Sequence, residues 1–319
     1  MSAPHVAPAR VAVLGGSGFI GRVLGDRFTE LGHDVLSIAR KAPDVPAPGR
    51  FVAFDLTSAA PAELTELLDR EQVGLVVNAA GGMWGLTDDQ MQVANVVLVD
   101  RLIEAIGAMA APARLVHLGT VHEYGFAPIG TDQHEDSAAA PSMEYGKLKL
   151  AATEAVTRAV REHGLDAVTL RLGNVVGAGQ PGHSLLGVMA AKLDEARLAG
   201  RTAQLSLAPL TALRDFVDLT DSIDAIVAAA ATPGTQPVLN IGTGSATSAR
   251  EWVELLVEVS GVPTEITEVP GPDGAGPETE WQQLDITAAG EQLGWAPRRS
   301  MRESLESLWQ AQVRSAPVG

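Results

Sequence analysis

Val11-Ala12-Val13-Leu14-Gly15-Gly16-Ser17-Gly18-Phe19-Ile20-Gly21 reads as a strand, a tight turn and the first turn of a helix. The aliphatic run suits a buried strand, and from Phe19 to Leu31 the apolar residues recur at helical spacing. Gly15, Gly18 and Gly21 follow a GxxGxxG pattern. The first glycine permits the turn, the second lets backbone approach a pyrophosphate, and the third lets the helix pack close to the strand. Anionic oxygens would then sit at the helix N-terminus, where unpaired amides point outward. This turn is read as the cradle of a dinucleotide.

Outward from it, short apolar runs recur at Asp34–Ala39, Phe51–Phe54, Val73–Val77, Leu115–Leu118 and Ala167–Leu172. Helical patterns near 61–71, 89–110 and 142–163 separate the later ones. Strands buried on both faces and joined by helices predict an α/β fold, a Rossmann-type doubly wound parallel sheet. The pattern changes after Gly173, so residues 1–172 are read as a nucleotide-binding domain and 173–319 as mainly a smaller C-terminal substrate-binding lobe, some of whose segments return to the first domain. There the sequence predicts helices near 185–199, 221–231, 286–292 and 299–312, another from Ser248 to Gly261, and strands near 203–207 and at Val238–Ile241. Pro270–Pro277, rich in glycine and proline, is read as an irregular loop.

With 319 residues, 46% apolar and 19% charged, the chain can build one large core and a smaller lobe. A net charge of −16 argues against nucleic acid as a partner and leaves room for a small anion held by one or two placed arginines. The absence of cysteine excludes disulfides, thiolate metal sites and cysteine nucleophiles, and is compatible with a reducing compartment. No run of 18 apolar residues occurs and the first residues do not resemble a hydrophobic signal segment, so a soluble cytoplasmic protein without membrane association is expected.

Candidate functional residues emerge along the expected strand ends. After the second strand the chain reads Ser37-Ile38-Ala39-Arg40-Lys41, with no acid until Asp44. A carboxylate there suits the ribose of NAD, whereas Arg40 suits a 2′-phosphate; NADP(H) is therefore expected, with NAD(H) as the alternative and a solvated loop arginine as the plain reading. Asp55, after the third strand, is placed to meet an adenine amino group or to cap a turn. Tyr145 and Lys149 lie four residues apart and would share a helix face. An ammonium and a positive nicotinamide ring on that face would both favour tyrosinate and ease proton exchange at a carbinol oxygen. Thr120, just past a strand, could donate to a substrate carbonyl or serve only as a turn residue. Gly146, early in that helix, costs helix propensity and suggests close approach by a cofactor or by neighbouring backbone.

Together these residues resemble the extended short-chain dehydrogenase/reductase family, especially its nucleotide-sugar epimerases, dehydratases and 4-ketoreductases. The similarity covers nearly the whole chain. It includes the turn from Gly15 to Gly21, Asn78-Ala79-Ala80-Gly81, Asn95, Thr120-Val121-His122-Glu123-Tyr124-Gly125, and the pair Tyr145 and Lys149. Later matches are Arg171 to Gly179, Arg214 to Asp218, Asn240 to Gly244 and Leu293 to Pro297. The resemblance implies Thr120, Tyr145 and Lys149 as catalytic residues. It implies cofactor contacts from Gly15, Gly18, Phe19, Ile20, Gly21, Arg40, Asp55, Leu56, Ala79, Ala80, Asn95, Tyr145 and Lys149. Substrate contacts are implied for Thr120, His122, Asn174 and Arg214, the last at a nucleotide diphosphate, while Met83 and Trp84 are read either as a wall of the sugar pocket or as ordinary packing. The alanine-rich helices near 89–110 and 142–163 resemble the family's homodimer interface.

Three departures narrow the chemistry. Pro270 to Trp281 lacks the second phosphate-binding arginine usual in sugar-nucleotide epimerases, and Gly119 stands where the family often has serine. Val121 and His122 replace the aspartate-glutamate pair of a 4,6-dehydratase. The resemblance then implies an NADPH-dependent ketoreductase acting on a nucleotide-linked, dTDP-type 4-keto-6-deoxy sugar: hydride reaches the keto carbon, Tyr145 gives the proton, and Lys149 lowers the tyrosine pKa. The alternatives are an NAD-dependent nucleotide-sugar 4-epimerase, a reductase of small non-nucleotide carbonyl compounds, and a non-catalytic NADP-binding sensor. His117 and His122, with no clustered acids, are not read as a metal pair.

Overall fold

In a computed structural model that describes residues 10–42, 49–269 and 280–315, β1 (Arg10–Leu14) is an interior strand of the fold. Val11 and Val13 face one hydrophobic core, Ala12 and Leu14 the other, and all four are fully buried. That alternation explains why the run carries no polar residue: a central parallel strand has no solvent face.

The elements follow as α1 (Phe19–Glu30), β2 (Val35–Ala39), β3 (Arg50–Ala53), α2 (Pro61–Arg70), β4 (Val73–Asn78), α3 (Asp88–Gln92), a π-helical turn (Val93–Val97), α4 (Leu98–Gly107), β5 (Arg114–Thr120), a 3₁₀ turn (Val121–Glu123), α5 (Glu144–His163) and β6 (Ala167–Leu172). The second half adds β7 (Asn174–Val176), α6 (Leu185–Leu198), β8 (Ala203–Leu207), β9 (Leu213–Asp218), α7 (Leu219–Ala231), β10 (Val238–Ile241), β11 (Ala246–Ser248), α8 (Ala249–Ser260), β12 (Thr264–Glu268), β13 (Trp281–Gln282), α9 (Thr287–Leu293) and α10 (Met301–Ser315).

Seven strands form one parallel sheet in the order β10-β6-β5-β4-β1-β2-β3. Apolar residues of α1, α7 and α9 cover one face, and those of α2, α4 and α5 cover the other. This is the doubly wound Rossmann-like sheet that the sequence predicts. Its seventh strand, β10, comes from the second half of the chain, as do α7 and α9, so residues beyond 172 serve both the main sheet and a separate core. That separate core unites α6, α8, α10 and β8.

The long helix expected near 89–110 is divided. At its π turn, Asn95 Nδ2 donates to the Met91 carbonyl at 2.9 Å and to the Gly82 carbonyl at 2.7 Å, a side chain competing with the helical ladder. The short strands β7, β11 and β13 have two or three residues each, too few to show periodicity. The expected loop over Pro270–Pro277 lies outside the described residues.

Gly21 makes the closest approach to backbone at the cofactor turn, because a β-carbon there would fall inside contact distance of the Gly15 carbonyl oxygen. Gly21→Ala is therefore expected to destabilise the chain by about 1–3 kcal/mol, as overpacking does. Urea denaturation checks this; an unchanged midpoint would show that α1 does not need that closeness.

Candidate active site

At the carboxyl edge of the sheet the end of β1 meets the end of β4. Gly15 adopts a left-handed φ of +75°, and a β-carbon on it would lie 2.8 Å from the Ala79 carbonyl oxygen. The Gly18 amide donates to Gly15 O at 2.9 Å, and Gly18 then starts α1 without a side-chain cap. The first amides of α1 are thus left facing a cleft of about 540 Å³ lined by Ser17, Gly18, Phe19, Arg22, Gly179 and Gln180, with the end of α10 opposite. The cleft lies over the glycine turn, and its lining does not include Tyr145. Backbone amides, Arg22 and bare glycine suit a pyrophosphate, so the residues present fit a dinucleotide. Arg22 lines this cleft without having been singled out in the sequence, where its signal was a cation immediately after the third glycine.

Among the other expected cofactor residues, Phe19 and Ile20 are half-buried and pack against the main core, and Leu56 is buried in the opposite core. Arg40 is exposed just beyond β2, near enough to help hold the Asp55 carboxyl below its ordinary range. The larger cause is Thr57, whose hydroxyl and amide donate to Asp55 Oδ1 at 2.6 and 2.9 Å. The turn role of Asp55 is therefore real, and it occupies one carboxylate oxygen. Ala79 and Ala80 follow β4, where Asn78 Oδ1 accepts the Ala80 amide at 3.1 Å. Asn95 is buried and holds Gly82, so it shapes this loop from behind.

β5 and α5 bring Thr120, Tyr145 and Lys149 together. Thr120 ends β5 and caps the 3₁₀ turn, its hydroxyl oxygen 3.4 Å from the His122 amide. Lys149 is buried and donates to Leu118 O on β5 at 2.6 Å. Gly146 allows this approach: a β-carbon there would collide with the His122 carbonyl. Neighbouring backbone, one of the two causes expected for this glycine, is the one observed.

The electrostatics correct one expectation. The Tyr145 phenol lies above, not below, its ordinary pKa in this structure. Burial, reinforced by the Glu123 carboxylate, pushes the phenol up to about 12, and burial brings the Lys149 ammonium down to about 8. Desolvation is the leading cause of both shifts, and it acts in opposite directions on an acid that ionises to an anion and a base that ionises to a cation. Tyr145 is thus a phenol at neutral pH. His122 lies with its ring 6.3 Å from that of Tyr145 and is held neutral, its pKa lowered to about 4 by burial and then by Arg214. His117 is buried, pairs with Asn78 Nδ2 at 3.0 Å, and is kept neutral by burial and by Lys149.

The expected substrate residues divide into two groups. Arg214 stands near His122, with its guanidinium 4.8 Å above the Phe126 ring and paired to Glu280; its Nη1 is buried without a hydrogen-bond partner. Asn174 donates to Asp215 O at 2.9 Å. Asp215 turns the other way and accepts the Thr243 amide and hydroxyl at 2.7 and 2.8 Å, which anchors β9. Met83 is half-buried, and Trp84, 57% exposed, rests against the His183 ring at 5.0 Å. The Phe126 and Glu280 contacts had no sequence signal, because both residues reach Arg214 from distant segments. Among the described residues no cluster of three or more His, Asp or Glu is placed to hold a metal ion, and no helix is long and apolar enough to cross a membrane.

The model of the NAD dependent epimerase/dehydratase family matches residues 11–242. The chain belongs to this family. It is an NAD(P)-dependent oxidoreductase of the extended short-chain dehydrogenase/reductase type. Among family members, a dTDP-6-deoxy-L-talose 4-dehydrogenase (NAD(P)(+)) of Kitasatospora kifunensis is 72% identical over 318 residues, covering 100% of both chains. A UDP-glucose 4-epimerase of Mycolicibacterium smegmatis is 29% identical over 306 residues, covering 93% of this chain and 96% of its own. Among solved structures, MoeE5 in complex with UDP-glucuronic acid and NAD superposes with a TM-score of 0.80 at 27% identity, over 96% of this chain and 100% of that one.

The low Lys149 pKa has a stability consequence. Below about pH 8 the folded chain bears the cost of a buried ammonium; between about 8 and 10.5 the folded state has lost that proton while the unfolded state keeps it, so stability rises. Against a Lys149→Met variant, the parent's urea midpoint is expected to gain ground from pH 7 to pH 10. A gap that stays constant would show that Lys149 titrates normally.

Proposed function

We propose that the chain is a 4-ketoreductase of a dTDP-linked 4-keto-6-deoxy sugar, working reversibly with the 6-deoxytalose type of 4-alcohol and preferring NADPH. The observation that carries this reading is the half-buried Tyr145 phenol, protonated at neutral pH, on the helix that also carries the buried Lys149 and packs on the turn begun by Thr120. The 72% identity to a dTDP-6-deoxy-L-talose 4-dehydrogenase supports the substrate class and an NAD(P) cofactor.

When bound, the nicotinamide cofactor supplies the hydride. The remaining work belongs to the chain. Thr120 donates a hydrogen bond to the keto oxygen and polarises it. As the carbon–oxygen π bond breaks, Tyr145 gives its proton to that oxygen, and the Lys149 ammonium one helical turn on steadies the tyrosinate until solvent reprotonates it. Arg214, with a free buried Nη1, receives the diphosphate. Arg40, exposed beyond β2, favours a cofactor with a 2′-phosphate. The surface of α4 and α5, where Asp100, Ile103, Ala155 and Arg158 line a shallow groove, is our choice for a homodimer contact.

Tyr145→Phe should lower kcat for the ketosugar by about 10²–10⁴-fold while leaving NADPH binding, followed by fluorescence, little changed. Normal turnover by this variant would refute the role of Tyr145. Arg40→Ala is expected to raise KM for NADPH about tenfold and to spare KM for NADH, the loss of one charge-assisted contact. Equal effects on both would remove the argument for NADPH. Product stereochemistry separates ketoreduction from the 4-epimerase reading: net oxidation of NADPH marks the former, and interconversion of two alcohols without cofactor turnover the latter.

A further inference from the structure

Directly behind the proposed catalytic residues lies a carboxylate to which the reaction assigns no task. Glu123 is fully buried at the end of the 3₁₀ turn. Its Oε1 accepts the Thr120 amide at 2.9 Å, and its Oε2 accepts Arg171 Nε from β6 at 2.7 Å. Arg171 in turn lies 4.4 Å over the Tyr124 ring, whose hydroxyl donates to Asn240 Oδ1 at 2.8 Å. A buried ion pair of this kind is poor at adding stability, since well-packed apolar residues serve as well or better. Its wiring points elsewhere. One oxygen fixes the backbone of Thr120 in an extended conformation, and the negative charge acts on both Tyr145 and Lys149.

Gly119 belongs to the same arrangement. A β-carbon at this position would lie 2.6 Å from Glu123 Oε1 and 2.9 Å from Thr169 Cγ2. The departure from serine is therefore the space that the carboxylate occupies.

We infer that Glu123, held by Arg171, is a positioning residue: it fixes the backbone of Thr120 and sets a buried carboxylate at the turn on which the Tyr145 and Lys149 helix packs. This rests on Tyr145 being the proton donor. The charge favours the phenol and serves as a counter-ion for Lys149, and the two effects have the same sign: both groups hold their protons more tightly. Other ionisable groups on the elements that contact α5 are Arg114 and His117 on β5, His122 on the turn with Arg214 beyond it, Arg171 on β6, the exposed Asp88 and Asp89 of α3, and Asp100, Arg101 and Glu104 of α4, while α5 itself carries Glu144 and Lys147 beside Tyr145. None of these carboxylates acts on the Tyr145 hydroxyl as Glu123 does.

The chain has only two tyrosines, so ¹³C labelling at tyrosine Cζ gives two resonances, and Tyr145→Phe identifies the active-site one. Glu123→Gln should let this resonance begin to titrate at a pH lower by about one unit, and should shift the alkaline limb of kcat for ketone reduction down with it. Glu123→Asp, which keeps the charge, should restore the parent profile. If Glu123→Gln does not fold, Glu123→Gln with Arg171→Met removes the unpaired guanidinium, and the same readouts apply. A resonance and a pH profile that match the parent overturn the inference. Loss of activity in Tyr145→Phe alongside such a match leaves Tyr145 in its role and removes only Glu123. Normal activity in Tyr145→Phe removes both.

Discussion

Helix α5 packs so closely on the turn after β5 that no side chain fits at Gly146, and this closeness determines what the site can do. It carries Lys149 onto the Leu118 carbonyl and withdraws Tyr145 partly from water. A tyrosine on an exposed helix would titrate near its ordinary pKa of 10; here it remains a phenol far into the alkaline range. The lysine one turn away is pushed in the opposite direction by the same burial. Proton donor and supporting ammonium therefore arise from one packing contact between one helix and one strand.

The charge of the whole chain sharpens the problem of binding an anionic sugar nucleotide. With a net −16, long-range attraction is absent, so affinity must come from local cations. Arg214 is held between Phe126 and Glu280 with one donor unused, and Arg22 stands at the glycine turn. Pairing with Glu280 keeps Arg214 in place over the aromatic ring while leaving it a hydrogen-bonding group for a second anion.

The sheet was legible because most of its strands are buried: Val11–Leu14 is an uninterrupted apolar run, Ala167–Leu172 is broken only by Thr169 and Arg171, and the intervening helices keep their periods. Ser248 and Gly261 bound α8 as their capping chemistry predicts. What was not legible depends on contacts between distant residues. The π turn follows from Asn95 reaching Gly82, and the use of Gly119 follows from Glu123 lying beneath it. The Tyr145 and Lys149 pair was visible from spacing, but the direction of its pKa shifts was not, because spacing shows a shared helix face and not the water removed from it. Glu123 was given no role of its own from the sequence, although a fully buried carboxylate bonded to the Thr120 amide is the most unusual charge in the site.

The most direct test of ketoreduction at carbon 4 follows the hydride itself. The protein would be incubated with a dTDP-linked 4-keto-6-deoxy sugar and NADPH deuterated at the nicotinamide carbon that donates, and the product examined by NMR. The account requires one deuterium at carbon 4 of the sugar, on a single face, matched to cofactor consumed. Product without deuterium at that carbon, or cofactor left unconsumed in the presence of an active, folded protein, would contradict it.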